Sequence, residues 1–274
     1  MNSLERSALK LNFCKELKIA TGFPQKEILL RSMGKIRLVV FDLSGTTVED
    51  DNAVAKSLQQ AAQEFKLDVS LGDFEKTIGT NKIHLYQFML ARARGHKVEI
   101  SQLETYHFPE YLQEAHAIFD RYSVIMVDYY KNNVRAMPGA EDTFKWCHEQ
   151  GIKVATDTGF HRDVNTAIME GLQWKERGLI DLALDVEDTN GTGRPSPFLI
   201  FRAMERLGIQ SVGQVIKIGD TPADLLSGYN GGCIGNIGVL SGANTLRTLQ
   251  KYPHTHIIKS VKELPKLVAE QFKD

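Results

Sequence analysis

The chain has 274 residues, of which 42% are hydrophobic and 24% are charged, an ordinary globular composition that excludes a disordered chain or a fibre. Lys and Arg total 33 against 34 Asp and Glu, so no overall positive charge recruits nucleic acid or an anionic membrane. The three cysteines are widely spaced, which indicates neither a disulfide framework nor a zinc site. Apolar runs fall short of the roughly 18 residues of a membrane span, and the N-terminus lacks a signal-peptide pattern, so we expect a cytoplasmic protein.

The first clear element is a predicted strand at residues 36–41, where the apolar run IRLVVF is typical of a parallel strand buried on both faces. Residues 1–33 precede it as an extension of unknown role. Met33 stands where a domain of this kind can begin, so the true start of the protein is open between Met1 and Met33.

The segment at residues 52–133 contains helical patterns and no convincing strand. Apolar residues recur at helical spacing from Val54 to Phe65, and further helices are expected at residues 82–93, 101–119 and 122–130. The segment is therefore predicted to be an all-helical insertion, a cap on the rest of the chain.

From residue 137 onward, predicted strands alternate with predicted helices. The strands are expected at residues 152–156, 182–184, 215–218, 235–240 and 256–258, with helices ending at His148, beginning at Arg162 and Pro222, and spanning 197–207 and 244–250. This alternation specifies an α/β fold with a doubly wound parallel sheet. We expect a core at residues 34–51 and 134–274, interrupted by the helical cap at residues 52–133.

Polar residues follow three of the predicted strands, at Asp42, Thr158 and Asp220. Ligands of an open parallel sheet bind beyond the carboxyl ends of its strands. A carboxylate on the sharp turn after a strand can act as a nucleophile toward phosphorus, and a hydroxyl followed by backbone N–H groups, as at Thr158 and Gly159, can bind a phosphoryl oxygen. Taken singly, each of these three residues is as well explained as a residue of a turn or a helix cap.

Two further signals complete the set of candidate site residues. Arg194 in the run GRPSP offers a guanidinium fork suited to clamping a phosphate. Asp224 follows Asp220 by four residues, and these carboxylates beside Asp42 form an oxygen cluster fit for one Mg²⁺ ion. The competing interpretation is a surface arginine and two helix N-terminal carboxylates favoured by the helix dipole.

These four signals, in this order, resemble the motifs of the haloacid dehalogenase superfamily of aspartate-nucleophile hydrolases, from about residue 33 to the C-terminus. The resemblance implies that Asp42 forms an aspartyl-phosphate. It also implies that the backbone carbonyl of Ser44 joins Asp42, Asp220 and Asp224 at the metal. Phosphatases of this superfamily usually have an acid at the position of Ser44, and a serine hydroxyl cannot supply a proton with a suitable pKa.

The serine at that position directs the resemblance to one subgroup, the phosphonoacetaldehyde hydrolases, which split a carbon–phosphorus bond. The runs GTTV after Ser44, TGFHR at Thr158, GRP at Arg194 and GDT at Asp220 are similar to that subgroup's motifs. Arginine replaces the more usual lysine in GRP. Binding of the substrate is implied for Thr158, Gly159 and Arg194.

The subgroup also carries a cap lysine, in a segment of the form Met-Gly-x-x-Lys-Ile. This sequence has IGTNKI at residues 78–83, which places Gly79 and Lys82 at the matching positions. An amine that condenses with an aldehyde forms an iminium, which accepts the electrons of the breaking bond and removes the need for an acid at position 44. Lys76 is a nearby rival, and Thr80 and Asn81 make the segment more polar than in the subgroup.

Three functions remain open from the sequence. The preferred one is a Mg²⁺-dependent hydrolase of phosphonoacetaldehyde or a similar phosphonate that uses a Schiff base on Lys82. The alternatives are a phosphatase acting on a small phosphomonoester and a non-catalytic scaffold that kept the fold. The expected partner is a small phosphonate or phosphate, without nucleic acid or membrane, and resemblance suggests a homodimer through the cap.

Overall fold

The central feature of the fold is a parallel sheet of six strands. The computed structural model describes residues 36–103 and 105–272, so the extension at residues 1–33 lies outside the described residues. The strands are β1 (Leu38–Asp42), β2 (Lys153–Asp157), β3 (Leu182–Leu184), β4 (Val215–Gly219), β5 (Gly235–Val239) and β6 (His256–Ile258). Their order is β3-β2-β1-β4-β5-β6, and every pair is parallel. The predicted α/β doubly wound sheet is confirmed.

The strand order reverses direction between β1 and β4, the two central strands. All five residues of each are buried. Along β1, Val39 and Phe41 pack into one apolar layer, whereas Leu38 and Val40 pack into the other. This alternation explains why β1 is apolar on both faces. A reversal of strand order opens a crevice at the carboxyl ends of the two strands, which is where ligands bind in such sheets.

Helices cover both faces of the sheet in the part of the chain that follows the insertion. They are α5 (Ala140–Glu149), α6 (Arg162–Leu172), α7 (Phe198–Leu207), α8 (Pro222–Gly231), α9 (Leu246–Leu249) and α10 (Leu264–Gln271). Phe144 of α5 stacks edge-on against Phe41 of β1, with ring centroids 5.1 Å apart. Helix α10 buries Leu264 and Val268 and was not predicted from the sequence.

The insertion is helical throughout its described residues. It contains α1 (Ala53–Glu64), α2 (Leu71–Glu75), α3 (Lys82–Ala93) and α4 (Leu112–Asn133), with 3₁₀ turns at Ile100–Gln102 and Pro109–Tyr111. The prediction of two helices at residues 101–119 and 122–130 was wrong. A single helix of 22 residues replaces them, because buried residues recur every three or four positions from Ala115 to Tyr130 without interruption.

The insertion and the sheet belong to one compact unit of the chain. Helix α4 packs against α1 and α3 within the insertion and against α6 of the sheet layer. The insertion therefore lies directly beside the sheet. Among the described residues, no helix is both long enough and apolar enough to cross a bilayer.

Candidate active site at the carboxyl ends of the central strands

Three carboxylates meet at the carboxyl ends of β1, β2 and β4. Asp42 ends β1 and pairs directly with Asp157, the last residue of β2. Phe41 pairs with Ile218 of β4, which brings Asp220, two residues further on, to the same edge. The parallel register of three neighbouring strands therefore places these side chains together.

The turn after β1 holds the Asp42 carboxylate close to that of Asp220. The hydroxyl of Thr46 lies 3.2 Å from Oδ2 of Asp42 and 3.4 Å from Oδ1 of Asp220. Thr47 donates to the backbone carbonyl of Asp42 at 2.7 Å. Gly45 has a φ of +80°, and a Cβ added there would lie 2.9 Å from Oδ2 of Asp220. Only glycine permits this close approach of the turn.

Arg194 is the cation at the centre of the cluster. Its Nη1 lies 2.7 Å from Oδ1 of Asp42, is bonded to the carboxylate of Asp224, and lies 3.9 Å from Oδ1 of Asp157. The side chain of Arg194 is 11% exposed. One buried guanidinium therefore links the carboxylates that follow three different strands.

Asp224 is directed away from the open part of the site. Its Oδ1 lies 2.8 Å from Nζ of Lys217, and its Oδ2 accepts from the hydroxyl of Thr221 at 2.6 Å. Thr221 and Asp224 form the reciprocal cap at the start of α8. Lys217 also contacts Asp157 at 2.7 Å. Lys217 and Thr221 thus bind the two oxygens of Asp224, and Arg194 also bonds to Oδ1.

Burial and charge shift the pKa values of these carboxylates in opposite directions. Burial raises the pKa of Asp42 to about 6, although the positive charge of Arg194 opposes the shift. Burial, together with the negative charges of Asp42 and Asp224, holds the pKa of Asp220 well above its usual range. Burial alone would also raise the pKa of Asp224, but the positive charges of Arg194 and Lys217 have the larger combined effect and lower it.

The phosphate-binding candidates Thr158 and Gly159 follow β2 beside Arg194. Thr158 is buried, and its hydroxyl oxygen accepts from the backbone N–H of Phe160 at 3.1 Å. The hydroxyl proton of Thr158 therefore remains to be donated. A Cβ at Gly159 would lie 3.7 Å from Nη2 of Arg194, which shows how closely the arginine passes over this loop.

The cap segment with Gly79 and Lys82 reaches over the same edge of the sheet. Gly79 has a φ of +96°, and a Cβ added there would lie 3.1 Å from Cβ of Thr221. Asn81 caps α3 through the backbone N–H of His84, so Lys82 is the first residue of the helix. Its Nζ donates to the carbonyl of Thr80 at 3.3 Å. Burial and the charge of Arg194 lower the pKa of Lys82 from 10.5 to about 8.

One cavity joins the cap segment to the strand ends. Its volume is about 40 Å³, and its lining comes from both parts of the chain. Eight of the nine predicted site residues line it, namely Asp42, Ser44, Gly79, Lys82, Thr158, Gly159, Arg194 and Asp220. The ninth, Asp224, lies behind the cavity wall.

Three residues of this region were not predicted from the sequence. Asp157 and Lys217 form a fully buried ion pair beneath the cavity, and Asp50 lines the cavity beside Ser44. The signal for Lys217 is a lysine inside a strand that is otherwise apolar, since a buried lysine requires a partner. The signal for Asp157 is its place at the end of a strand, immediately before Thr158.

The carboxylates of this region form a donor set that could hold a divalent metal ion. Oxygen atoms of Asp42, Asp157 and Asp224 lie within 4.8 Å of one another, and the hydroxyl of Thr46 lies between the carboxylates of Asp42 and Asp220. Carboxylate oxygens are the ligands that hard cations such as Mg²⁺ prefer. Repulsion from the negative charges of Asp42 and Asp224 contributes to the raised pKa of Asp220, and a bound divalent cation would relieve this repulsion. Asp157 and Asp224 already pair with Lys217 and Arg194, so the carboxylates that fit such an ion are those of Asp42 and Asp220.

Comparisons with known proteins agree with this geometry. The chain is 25% identical over 244 residues to a phosphonoacetaldehyde hydrolase of Parabacteroides distasonis, covering 87% of this chain and 89% of that protein. The solved structure of a putative phosphoglycolate phosphatase from Lactobacillus delbrueckii subsp. bulgaricus superposes with a TM-score of 0.71 at 20% identity, covering 86% and 99% of the two chains.

A phosphonoacetaldehyde hydrolase-like protein from Oleispira antarctica superposes with a TM-score of 0.70 at 20% identity, covering 87% of this chain and 93% of that one. At such identities the superpositions establish the fold. The family model of haloacid dehalogenase-like hydrolases matches residues 36–232, which span β1, the helical insertion and the sheet as far as α8. The chain belongs to the haloacid dehalogenase-like hydrolases.

Proposed function

We propose that this hydrolase cleaves the carbon–phosphorus bond of phosphonoacetaldehyde or a similar 2-oxo-phosphonate, through an aspartyl-phosphate on Asp42. The observation that carries the proposal is that Lys82 and Asp42 line one small cavity. Ser44 lines the same cavity, in the place where phosphatases of the superfamily have an acid. The P. distasonis relative, named as a phosphonoacetaldehyde hydrolase, supports the same assignment.

The phosphoryl end of the substrate would bind between Arg194 and the loop of Thr158 and Gly159. Arg194 and the free hydroxyl proton of Thr158 would hold the phosphoryl oxygens, while Asp42 attacks phosphorus. Asp42, Asp220 and the carbonyl of Ser44 would hold Mg²⁺, with Asp224 supporting them from behind, and the ion would offset the repulsion between nucleophile and substrate. Arg194 lies 2.7 Å from Asp42, so a phosphoryl group that meets both would take the place of this direct ion pair.

The aldehyde end of the substrate would meet Lys82. A lysine forms an imine only as the neutral amine, and a pKa of about 8 makes that form accessible near neutral pH. The protonated imine then accepts the electron pair of the carbon–phosphorus bond as phosphorus passes to Asp42. The enamine that results takes a proton on its terminal carbon and becomes an imine again, and hydrolysis of that imine releases acetaldehyde. Hydrolysis of the aspartyl-phosphate releases phosphate. The narrow cavity would exclude bulk water while the bond breaks.

The decisive experiment compares two lysine variants in the presence of phosphonoacetaldehyde and Mg²⁺. Lys82→Ala is expected to abolish release of acetaldehyde and phosphate. Lys76→Ala is the matched control, because Lys76 is exposed six residues away and does not line the cavity. Borohydride reduction with substrate is expected to label Lys82 in the wild type, as peptide mass mapping would show. Full activity of Lys82→Ala, without an adduct at Lys82 in the wild type, would remove the assignment.

A phosphatase acting on a small phosphomonoester is the second candidate, and the position of Asp50 favours it. A phosphomonoester needs an acid to protonate the departing alkoxide, and Asp50 places a carboxyl group in the cavity wall beside Ser44. Burial raises the pKa of that carboxyl. A panel of small phosphate esters separates the two candidates. Ester turnover that persists in Lys82→Ala and is lost in Asp50→Asn would establish the phosphatase.

A further inference from the structure

Asp157 is a fully buried carboxylate for which the proposed reaction has no step. It ends β2, in register with Asp42 at the end of β1, and its side chain is 0% exposed. Oδ1 of Asp157 accepts from Nζ of Lys217 at 2.7 Å. Oδ2 is also buried, and none of the described residues donates a hydrogen bond to it. Because a buried carboxylate oxygen without a donor is costly, we looked for a second cation that Asp157 can bind.

Arg194 is that second cation. Its Nη1 lies 3.9 Å from Oδ1 of Asp157, just beyond the length of a hydrogen bond. The same nitrogen lies 2.7 Å from Oδ1 of Asp42 and is bonded to the carboxylate of Asp224. Nη1 carries two protons, so Asp42 and Asp224 take both of them. Asp157 can gain one only when Asp42 or Asp224 gives it up.

Asp42 is the carboxylate that a bound phosphoryl group would separate from Arg194. Asp224 lies behind the cavity wall, where Lys217 binds its Oδ1 at 2.8 Å and Thr221 binds its Oδ2 at 2.6 Å. Asp42 instead lines the cavity, and its direct ion pair with Arg194 stands where the phosphoryl group would bind. A nucleophilic carboxylate must also turn an oxygen toward phosphorus, which the ion pair opposes.

We propose that Asp157 is a positioning residue that takes over Arg194 from Asp42 when a phosphoryl group enters the site. The inference rests on the part of the proposed function in which Arg194 binds that group. A displacement of about 1 Å brings Nη1 from 3.9 Å to hydrogen-bond distance of Asp157. Arg194 then keeps two carboxylates behind it, those of Asp157 and Asp224, while the carboxylate of Asp42 is released for attack.

The other nitrogens of the guanidinium group support this exchange. Within the described part of the chain, Arg194 donates hydrogen bonds through Nη1 alone. Nη2 passes close to the loop of Thr158 and Gly159, since a Cβ added at Gly159 would lie 3.7 Å from it. One edge of the guanidinium therefore binds carboxylates at the strand ends, and Nη2 lies beside the proposed phosphoryl site. Carboxylates that hold the first edge fix the direction in which the second edge donates.

The test measures binding of inorganic phosphate to the Mg²⁺-loaded protein by isothermal titration calorimetry. Phosphate is the product of both candidate functions, and its binding requires no chemical step. Asp157→Asn keeps the shape of the side chain and removes its charge. We expect this variant to bind phosphate about tenfold more weakly, the equivalent of one charge-assisted hydrogen bond. Loss of a negative charge would by itself strengthen the binding of an anion, so the local field alone predicts the opposite result.

Asp185→Asn is the matched control. Asp185 follows β3, the neighbour of β2 in the sheet, and its buried carboxylate pairs with Arg162 at 3.0 Å without lining the cavity. Both variants should lower the free energy of unfolding in urea, because each removes a charge from a buried ion pair. Only Asp157→Asn should weaken phosphate binding, and a merely structural role of Asp157 would not produce this difference.

Crystal structures of the Mg²⁺-loaded wild type with and without phosphate provide the geometric readout. With phosphate, Nη1 of Arg194 is expected within hydrogen-bond distance of Asp157 and no longer bonded to Asp42. Equal phosphate affinity in Asp157→Asn and the wild type, or an Arg194 that stays on Asp42 with phosphate bound, would overturn the inference alone. Phosphate binding that is absent from the wild type, or unchanged in Arg194→Met, would overturn the inference and the proposed function together.

Discussion

The lowered pKa of Lys82 has a direct chemical consequence for imine formation. At an ordinary pKa of 10.5, about 0.03% of the amine is neutral at pH 7, whereas at a pKa of about 8 the neutral share is about 9%. The site therefore raises the concentration of reactive amine about 300-fold. Because the neutral form increases as protons are removed, imine formation should rise with pH and level off about one pH unit above the pKa of about 8.

The assay is borohydride trapping of the imine with phosphonoacetaldehyde at a series of pH values, with the adduct at Lys82 quantified by peptide mass mapping. We expect a midpoint near pH 8. Two substitutions move that midpoint in opposite directions. Arg194→Met removes a positive charge that disfavours the protonated lysine, so the midpoint should rise. Asp42→Asn removes a negative charge that favours it, so the midpoint should fall.

Trapping is the right measure for both variants, because it reports the imine and does not require phosphoryl transfer. A midpoint near 10.5, as for an exposed lysine, would refute the reasoning about burial. An adduct on Lys76 in place of Lys82 would refute the choice of lysine.

Three further substitutions test other parts of the site. Gly79→Ala places a Cβ about 3.1 Å from Thr221 and should lower kcat/KM several-fold. Gly95→Ala is the control, because Gly95 has a similar φ of +91° but no atom within 4 Å of the added Cβ. It carries the same backbone strain and should leave kcat/KM unchanged. Lys217→Met removes one of the two cations that contact the buried carboxylates of Asp157 and Asp224. It should lower the free energy of unfolding by about 3–5 kcal/mol, measured by urea denaturation, and a loss below about 1 kcal/mol would contradict a buried ion pair. Asp42→Asn should abolish phosphate release and leave no phosphorylated chain after acid quench, so retained turnover would exclude Asp42 as nucleophile.

Local patterns were sufficient to predict the sheet and the residues at its strand ends. The apolar run before Asp42 and the alternation of strands and helices after residue 137 are periodic features, and a parallel sheet brings the ends of its strands to one edge. The positions of Gly79 and Lys82 over that edge could not be derived in this way. They came from the resemblance alone, because no local pattern states how a helical insertion lies against a sheet.

Residues whose partners are distant in the chain were the ones missed. Lys217 is 60 positions from Asp157, and neither residue alone reveals the pair. The link from Tyr130 to Ser44 spans 86 positions. Asp224 is an instructive intermediate case, since its bond to Thr221 three residues earlier is a local capping pattern that explains why its carboxylate does not face the cavity.

Under the proposed function, the small volume beneath the cap would act as a filter on molecular length. A space of about 40 Å³ would favour a short substrate whose two ends meet Arg194 and Lys82 at once. Selectivity of this kind needs no dedicated recognition group for each rejected molecule.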